Sequence, residues 1–368
     1  MGRNRSPKPD LNMTIAGLLS DLATVQTSEQ RKFGYKQAAQ AIRSLDQPVE
    51  ELRQRDGTLR RIPRIGPAST RVILEVLETG ASPTVDAAVS TSPKAADIAK
   101  RRQWRSHFLS RATVRRALAD PSLNGPTLAE YRGDLQMHST WSDGSQTLGD
   151  IVQTGLGRGY AFAAVTDHSA GLPIAHGVSM QQFAEQHLEI DRLNAEHEGQ
   201  FTLLKGVEAN IRADGEVDVE LQDRRAFEIV VAAPHSSLRS PVAQTGRMLA
   251  VVSSPAIHIL GHPRGRMFSS RPGVSADWAR VFAAAAESTV AIEIDGDPSR
   301  QDVDYVLARQ ALKAGCLFAL DSDAHGVGEW AYAETAVAHA RLAGVPPERI
   351  INCWPLERLL AWAAARSS

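Results

Sequence analysis

The spacing of apolar positions divides the chain into stretches of different character. Before Gly80, apolar side chains recur every three or four positions. Leu18, Leu19, Leu22 and Val25 share one face, and Phe33, Ala38, Ala41, Ile42 and Leu45 continue at the same period. That is the pattern of short amphipathic helices. From Tyr131 onward, short apolar runs alternate with longer helical stretches. Runs at 134–136, 161–166, 202–208, 227–232, 257–260, 290–294 and 317–320 predict buried strands, and 148–158, 180–197, 277–286 and 303–314 predict helices between them. Seven short strands joined by helical crossovers imply a parallel α/β sheet, and that number favours a closed or nearly closed barrel.

Between these regions the composition shifts to Ala, Ser, Thr, Pro and Arg, as in a linker with short helices. The expected organisation is an all-α domain over residues 1–80, a basic linker over 81–130 and an α/β domain over 131–368. Within the linker, Lys94, Lys100, Arg101, Arg102, Arg105, Arg111, Arg115 and Arg116 face the single acid Asp97. Such a run is a solvated helix face or a phosphate contact. The net charge of −1 adds no argument for nucleic acid. With 43% hydrophobic and 23% charged residues, the 368-residue chain has the balance of a soluble globular protein. Only Cys316 and Cys353 are present, which fits a reducing compartment. The polar start MGRNRSPKPDLN has no signal-peptide core, and no apolar run is long enough to span a bilayer. A cytoplasmic protein without membrane partners is expected.

Chemistry concentrates where the predicted strands end. Gln136, His138 and Asp143 follow the first, Asp167 and His168 the second, Glu208 ends the third, His235 follows the fourth and His262 the fifth. The last runs into Asp321, Asp323 and His325. In parallel barrels the active groups gather at the carboxyl ends of strands. Imidazole and carboxylate together are ligands for zinc, manganese or iron. Each histidine alone reads as an ordinary core or surface residue; a donor at six strand ends points to one metal cluster. Asp321 reads as a structural acceptor, and His176 lies in the loop after His168.

In their order, DLQMHSTWSDG, AVTDHS, GVEANI, PHSS, GHPRGR and DSDAHG resemble the successive motifs of the PHP (polymerase and histidinol phosphatase) superfamily. The likeness is greatest to the C-terminal PHP domain of bacterial family X DNA polymerases, and it runs from Tyr131 through NCWPLERLL. The resemblance implies a distorted seven-stranded barrel binding up to three divalent metals. His138, Asp143, His168, Glu208, His235, His262, Asp323 and His325 stand at the family's ligand positions, with Glu208 as the bridging carboxylate. Gln136 replaces the usual first histidine, and a neutral amide is a poor ligand, so one metal would be weak or missing. Metals held there would activate water for attack on phosphorus. His138, His168 and Glu208 are then the candidate catalytic residues. Arg264 and Arg266 would fork onto phosphate oxygens, with Arg271 a further candidate.

Residues 59–80 resemble a helix-hairpin-helix, with the turn Pro63-Arg64-Ile65-Gly66 ahead of a helix whose Val72, Ile73 and Val76 point inward. FGYKQAAQAIRSL resembles the preceding helix of the small N-terminal domain of family X polymerases. Backbone amides around Arg64, Ile65, Gly66 and Ala68 would hold a DNA phosphate without reading sequence. Arg64 occupies the position usually held by glycine. The lysine of lyase-competent relatives is replaced by Val72, and the intervening stretch is too short for a nucleotidyltransferase palm. The resemblance thus implies a phosphoesterase acting on DNA, of 3'-5' exonuclease or 3'-end phosphatase type, without polymerase activity. Small-molecule phosphatase of the histidinol-phosphate kind and DNA-binding scaffold are the alternatives.

Overall fold

The computed structural model describes residues 9–367. The first eight residues of MGRNRSPKPDLN, the start on which the expectation of no signal peptide rested, lie outside them. The chain divides into two units, Met1–Ala119 with Phe268–Ser270, and Asp120–Met267 with Arg271–Ser368. No described helix is long and apolar enough to cross a membrane. Cys316 and Cys353 are both free thiols.

The first unit is helical. Asp10 caps the helix Leu11–Val25 by accepting from the Met13 amide at 3.0 Å. Ile15, Leu19 and Leu22 pack with Ala38, Ile42, Val72, Ile73 and Val76 in one core. Phe33, expected on the inner face, is 62% exposed. The helix Glu29–Arg43 buries Ala38, Ala39 and Ile42, which puts Phe33 on a different face at 3.6 residues per turn. The region read as a linker holds the helices Pro83–Ser90, Ala95–Trp104 and Arg111–Ala119. Val85 and Ile98 are fully buried there, and the unit boundary falls after Ala119 rather than at 80 or 130. Its basic run is partly internal: Arg102 and Arg105 meet the buried Asp21 at 2.7 and 2.5 Å.

The second unit is a nearly closed barrel, as the alternation predicted. Its strands are β1 (Gly133–Asp134), β2 (Phe162–Val165), β3 (Thr202–Asn210), β4 (Ile229–Ala233), β5 (Ile259–Leu260), β6 (Ala291–Asp295) and β7 (Leu317–Asp321). They pair in chain order, all parallel. The seam between β7 and β1 is drawn together by His138 N donating to Ala324 O at 2.8 Å and Asp323 N to Gln136 O at 3.1 Å. β1 is displaced from the expected 134–136 because side chains take over its ladder. The Leu135 amide donates to Asp321 Oδ1 at 2.9 Å and the Met137 amide to Thr166 Oγ1 at 3.1 Å.

Inside, the barrel is layered. Phe162, Ile229, Ile259 and Ala291, at the amino ends of their strands, pack with Ile351, Trp354, Leu359 and Ala363. The segment leading into the helix Leu356–Ser367 therefore stoppers that mouth. The carboxyl ends of the strands carry the polar residues, leaving one mouth for chemistry.

Candidate metal centre

Glu208, near the end of β3, lies at the middle of the site and is almost fully buried. Its Oε1 is 3.1 Å from His235 Nε2 and 3.0 Å from His262 Nε2. Its Oε2 is 3.3 Å from His138 Nε2 and 3.3 Å from His168 Nδ1. One carboxylate thus faces four imidazoles. Asp323 Oδ1 adds a 3.0 Å contact to His138 Nε2, and Asp143 Oδ1 lies 3.7 Å from His168 Nε2 and 3.5 Å from His325 Nε2.

Local structure holds these groups in place. Between His138 and Asp143 the chain doubles back, with the amides of Ser142 and Gly144 both donating to Ser139 O. A Cβ on Gly144 would sit 2.4 Å from the His138 carbonyl, so this turn requires glycine. Asp167, which precedes His168, accepts from the Ser139 amide at 2.8 Å and from Gln186 Nε2 at 2.6 Å. His235 Nδ1 contacts Asn210 Oδ1 at 3.2 Å, and His325 Nδ1 contacts the Asp323 carbonyl at 2.8 Å. Such contacts fix ring orientation and leave the other nitrogen for the site. Asp323 (φ 52°) and His262 (φ 21°) sit in the left-handed region. For side chains other than glycine that costs on the order of 1–3 kcal/mol and is typical of functional positions.

The electrostatics are those of a donor set. Burial alone would protonate Glu208, but His168 and His235 hold its carboxyl well below the usual range. His168 is pushed down to about 3, by burial first, with Glu208 opposing and the neighbouring His138 and His235 reinforcing. Burial also opposes protonation of His138, yet its bonds to Asp323 and Glu208 prevail and move it up. The His138 and His168 rings stack at 4.4 Å between centroids, so they cannot both be charged cheaply. His138 Nδ1, His168 Nδ1, His262 Nδ1 and Glu208 Oε2 are buried without a hydrogen-bond partner. Buried polar atoms are normally satisfied, and a group of them converging among imidazoles and carboxylates fits divalent cations. Among the described residues, three sets come within 4.8 Å of mutual reach: His138, Asp143, His168 and His325; His168, Glu208 and His235; His138, Glu208 and Asp323.

All eight residues expected to be ligands therefore meet at one mouth, with His262 joined through Glu208. Gln136 is fully buried with both amide atoms unpartnered. Two expectations need correction. Arg264 is committed to Asp302 at 2.8 Å and Asp304 at 2.7 Å. Arg266 reaches Asp304 at 3.3 Å and the Gln301 carbonyl at 2.7 Å. Both guanidiniums anchor a loop instead of offering a fork to phosphate. Arg271 likewise donates to the Gly265 carbonyl at 2.6 Å, and His176 is exposed. The strand-end reading also passed over β6, whose Glu293 accepts from the His262 amide and whose following loop carries Arg300. Buried charges on an otherwise apolar strand, then the turn-forming DGDPSR, were the available signal.

In the first unit, Arg64 takes φ 66°, the left-handed conformation a glycine would supply. Gly66 caps the helix Pro67–Thr79 with no side-chain bond to its first turn. Arg64, Gly66 and Ala68 are exposed, while Ile65 packs against the helical core.

Comparison with known proteins agrees with both halves. Residues 10–82 match the helix-hairpin-helix domain model. DNA polymerase/3'-5' exonuclease PolX of Bacillus subtilis (strain 168) is 32% identical over 236 residues, covering 64% of this chain and 41% of that protein. The chain thus spans about two fifths of the length of PolX. Probable phosphatase YcdX of Escherichia coli O81 (strain ED1a) is 28% identical over 251 residues, covering 64% of this chain and 95% of that protein. Among solved structures, histidinol phosphate phosphatase from Lactococcus lactis, complexed with zinc, L-histidinol and phosphate, matches with TM-score 0.42. Its identity is 16%, covering 56% of this chain and 92% of that one. The chain joins a helix-hairpin-helix domain to a PHP-type region homologous to PolX and YcdX.

Proposed function

We propose that this chain is a cytoplasmic metal-dependent phosphoesterase that trims DNA ends, as a 3'-5' exonuclease or 3'-end phosphatase, without polymerase activity. Residues 131–368 form the hydrolase, and residues 1–80 hold DNA through its phosphates. The observation that carries the reading is the Glu208 carboxylate, within 3.0–3.3 Å of four imidazoles. Up to three cations, zinc, manganese or iron, fit the three sets of donors. When bound, divalent cations supply Lewis acidity and an activated water for attack on phosphorus. The chain's own part is to hold and expose. Glu208, His138 and His262 are buried, whereas His235, Asp143 and His325 are 17%, 29% and 32% exposed. Substrate therefore approaches over the Asp143, His235 and His325 side.

Support for DNA comes from the helix-hairpin-helix match and from Arg60, Arg61 and Arg71 lining a depression beside the hairpin. Cations there attract phosphate locally even though the whole chain is nearly neutral. A second reading, small-molecule phosphatase, is favoured by the near-complete coverage of YcdX. One assay separates them: chelator-treated full-length protein, restored with manganese, is given a single-stranded oligonucleotide and an aryl phosphate in parallel. Oligonucleotide turnover that falls at least a hundredfold in His138→Ala and Glu208→Ala supports the DNA reading. Turnover of the aryl phosphate alone would move the assignment to the second.

A further inference from the structure

Arg300 enters the site from the loop after β6, and none of the strand-end motifs contains it. Its Nη1 lies 2.6 Å from Asp323 Oδ2, while the other oxygen of that carboxylate faces His138 Nε2 at 3.0 Å. The approach is off the hydrogen-bond axis, since both Nη1 and Oδ2 lack a partner of proper geometry. The contact is therefore one of charge. Asp295 Oδ2 at 3.7 Å and Asp297 Oδ2 at 3.8 Å share the same guanidinium.

The arginines of GHPRGR explain how Arg300 is held. Arg266 Nε donates to the Arg300 carbonyl at 3.1 Å, and Arg266 Nη2 to the Gln301 carbonyl at 2.7 Å. Arg264 and Arg266 in turn converge on Asp304, and Arg264 also on Asp302. The amides of Arg300 and Gln301 both donate to the Asp297 carbonyl at 2.9 Å. The loop is thus braced on both sides of Arg300.

We propose that Arg300 is a positioning residue. It pins one oxygen of Asp323 so that the other alone is presented to the His138, Glu208 and Asp323 set, and it thereby governs how tightly a divalent cation is held there. This rests on the metal reading of the site. Partners of ligating groups commonly contribute tenfold to a hundredfold to metal affinity. An opposing effect exists, because a guanidinium beside a dication also repels it. The sign measured in a variant decides which prevails.

The test uses full-length, chelator-stripped protein titrated with manganese by calorimetry, with metal analysis after dialysis. Circular dichroism checks that each variant is folded. Arg300→Met is expected to weaken one class of manganese site by tenfold or more, and Arg300→Lys to recover part of that loss. Wild-type affinity and stoichiometry in folded Arg300→Met, or tighter binding, would overturn the proposal. Should Arg300→Met not fold, Arg300→Lys decides: a loss of manganese affinity of threefold or more supports the proposal, and a smaller change overturns it. Wild-type protein that binds no manganese would overturn the metal reading as well, and so marks that failure apart.

Discussion

At the scale of single residues, Glu208 and His258 show opposite uses of burial. Glu208 keeps its charge because four imidazoles surround it. Glu208→Gln retains the shape and removes the charge. It should cost at least tenfold in manganese affinity, read by calorimetry, and comparable binding would refute the central role given to it. His258 is neutral for structural reasons. Its Nδ1 accepts from the Val230 amide at 2.9 Å and its Nε2 contacts the Ala363 carbonyl at 3.0 Å. Both ring positions are therefore fixed in the uncharged tautomer. Burial lowers this histidine from 6.5 to about 4. The unfolded chain binds the proton first on acidification, so stability is full above about pH 6.5 and is lost as pH falls towards 4. The loss attributable to this residue is on the order of 3 kcal/mol. Urea melts at pH 7 and pH 4.5 should differ less in His258→Asn than in the wild type. Half-buried His187 acts with the same sign, so part of the difference remains.

At the scale of elements, the loops after β5 and β6 are one braced structure. Arg264 makes two ion pairs while only 17% exposed, and removing one partner of a buried pair typically costs about 3–5 kcal/mol. Arg264→Ala should therefore lower stability by about 3 kcal/mol in denaturant melts. A variant of wild-type stability with impaired substrate affinity would instead restore its expected role on phosphate. The reasons for the misreading are physical. Closeness to His262 in sequence says nothing about direction, and the left-handed backbone at His262 and Gly265 (φ 21° and 56°) turns the chain aside. The strand ends were legible because histidine and carboxylate interrupt apolar runs at a fixed place in a parallel barrel. The carboxylates of β6 escaped notice because Glu293 and Asp295 carry no histidine beside them, and only the fold reveals that they are buried. The helices Pro83–Ser90 and Ala95–Trp104 were read as linker since their cores are single residues, Val85 and Ile98. A lone apolar side chain per helix leaves little periodicity to detect.

At the scale of the whole molecule, two units of different chemistry share one chain, and each can be probed separately. Arg64 is exposed at the hairpin turn. Arg64→Ala should weaken DNA binding equally for unrelated sequences and reduce the salt dependence by about one phosphate contact. Aryl phosphate turnover should be unaffected. Unchanged salt dependence would remove the hairpin from the DNA-binding account.

The stopper formed by Ile351, Trp354, Leu359 and Ala363 has a kinetic meaning. With the barrel interior packed and its far mouth closed, only the carboxyl ends of the strands are open, and on the proposed reading a DNA strand could not pass through. On that reading a terminus or an extruded nucleotide would enter at the strand ends, and each released fragment would leave past the next arrival. Entrance and exit being the same, departing product and incoming substrate contend for a single doorway.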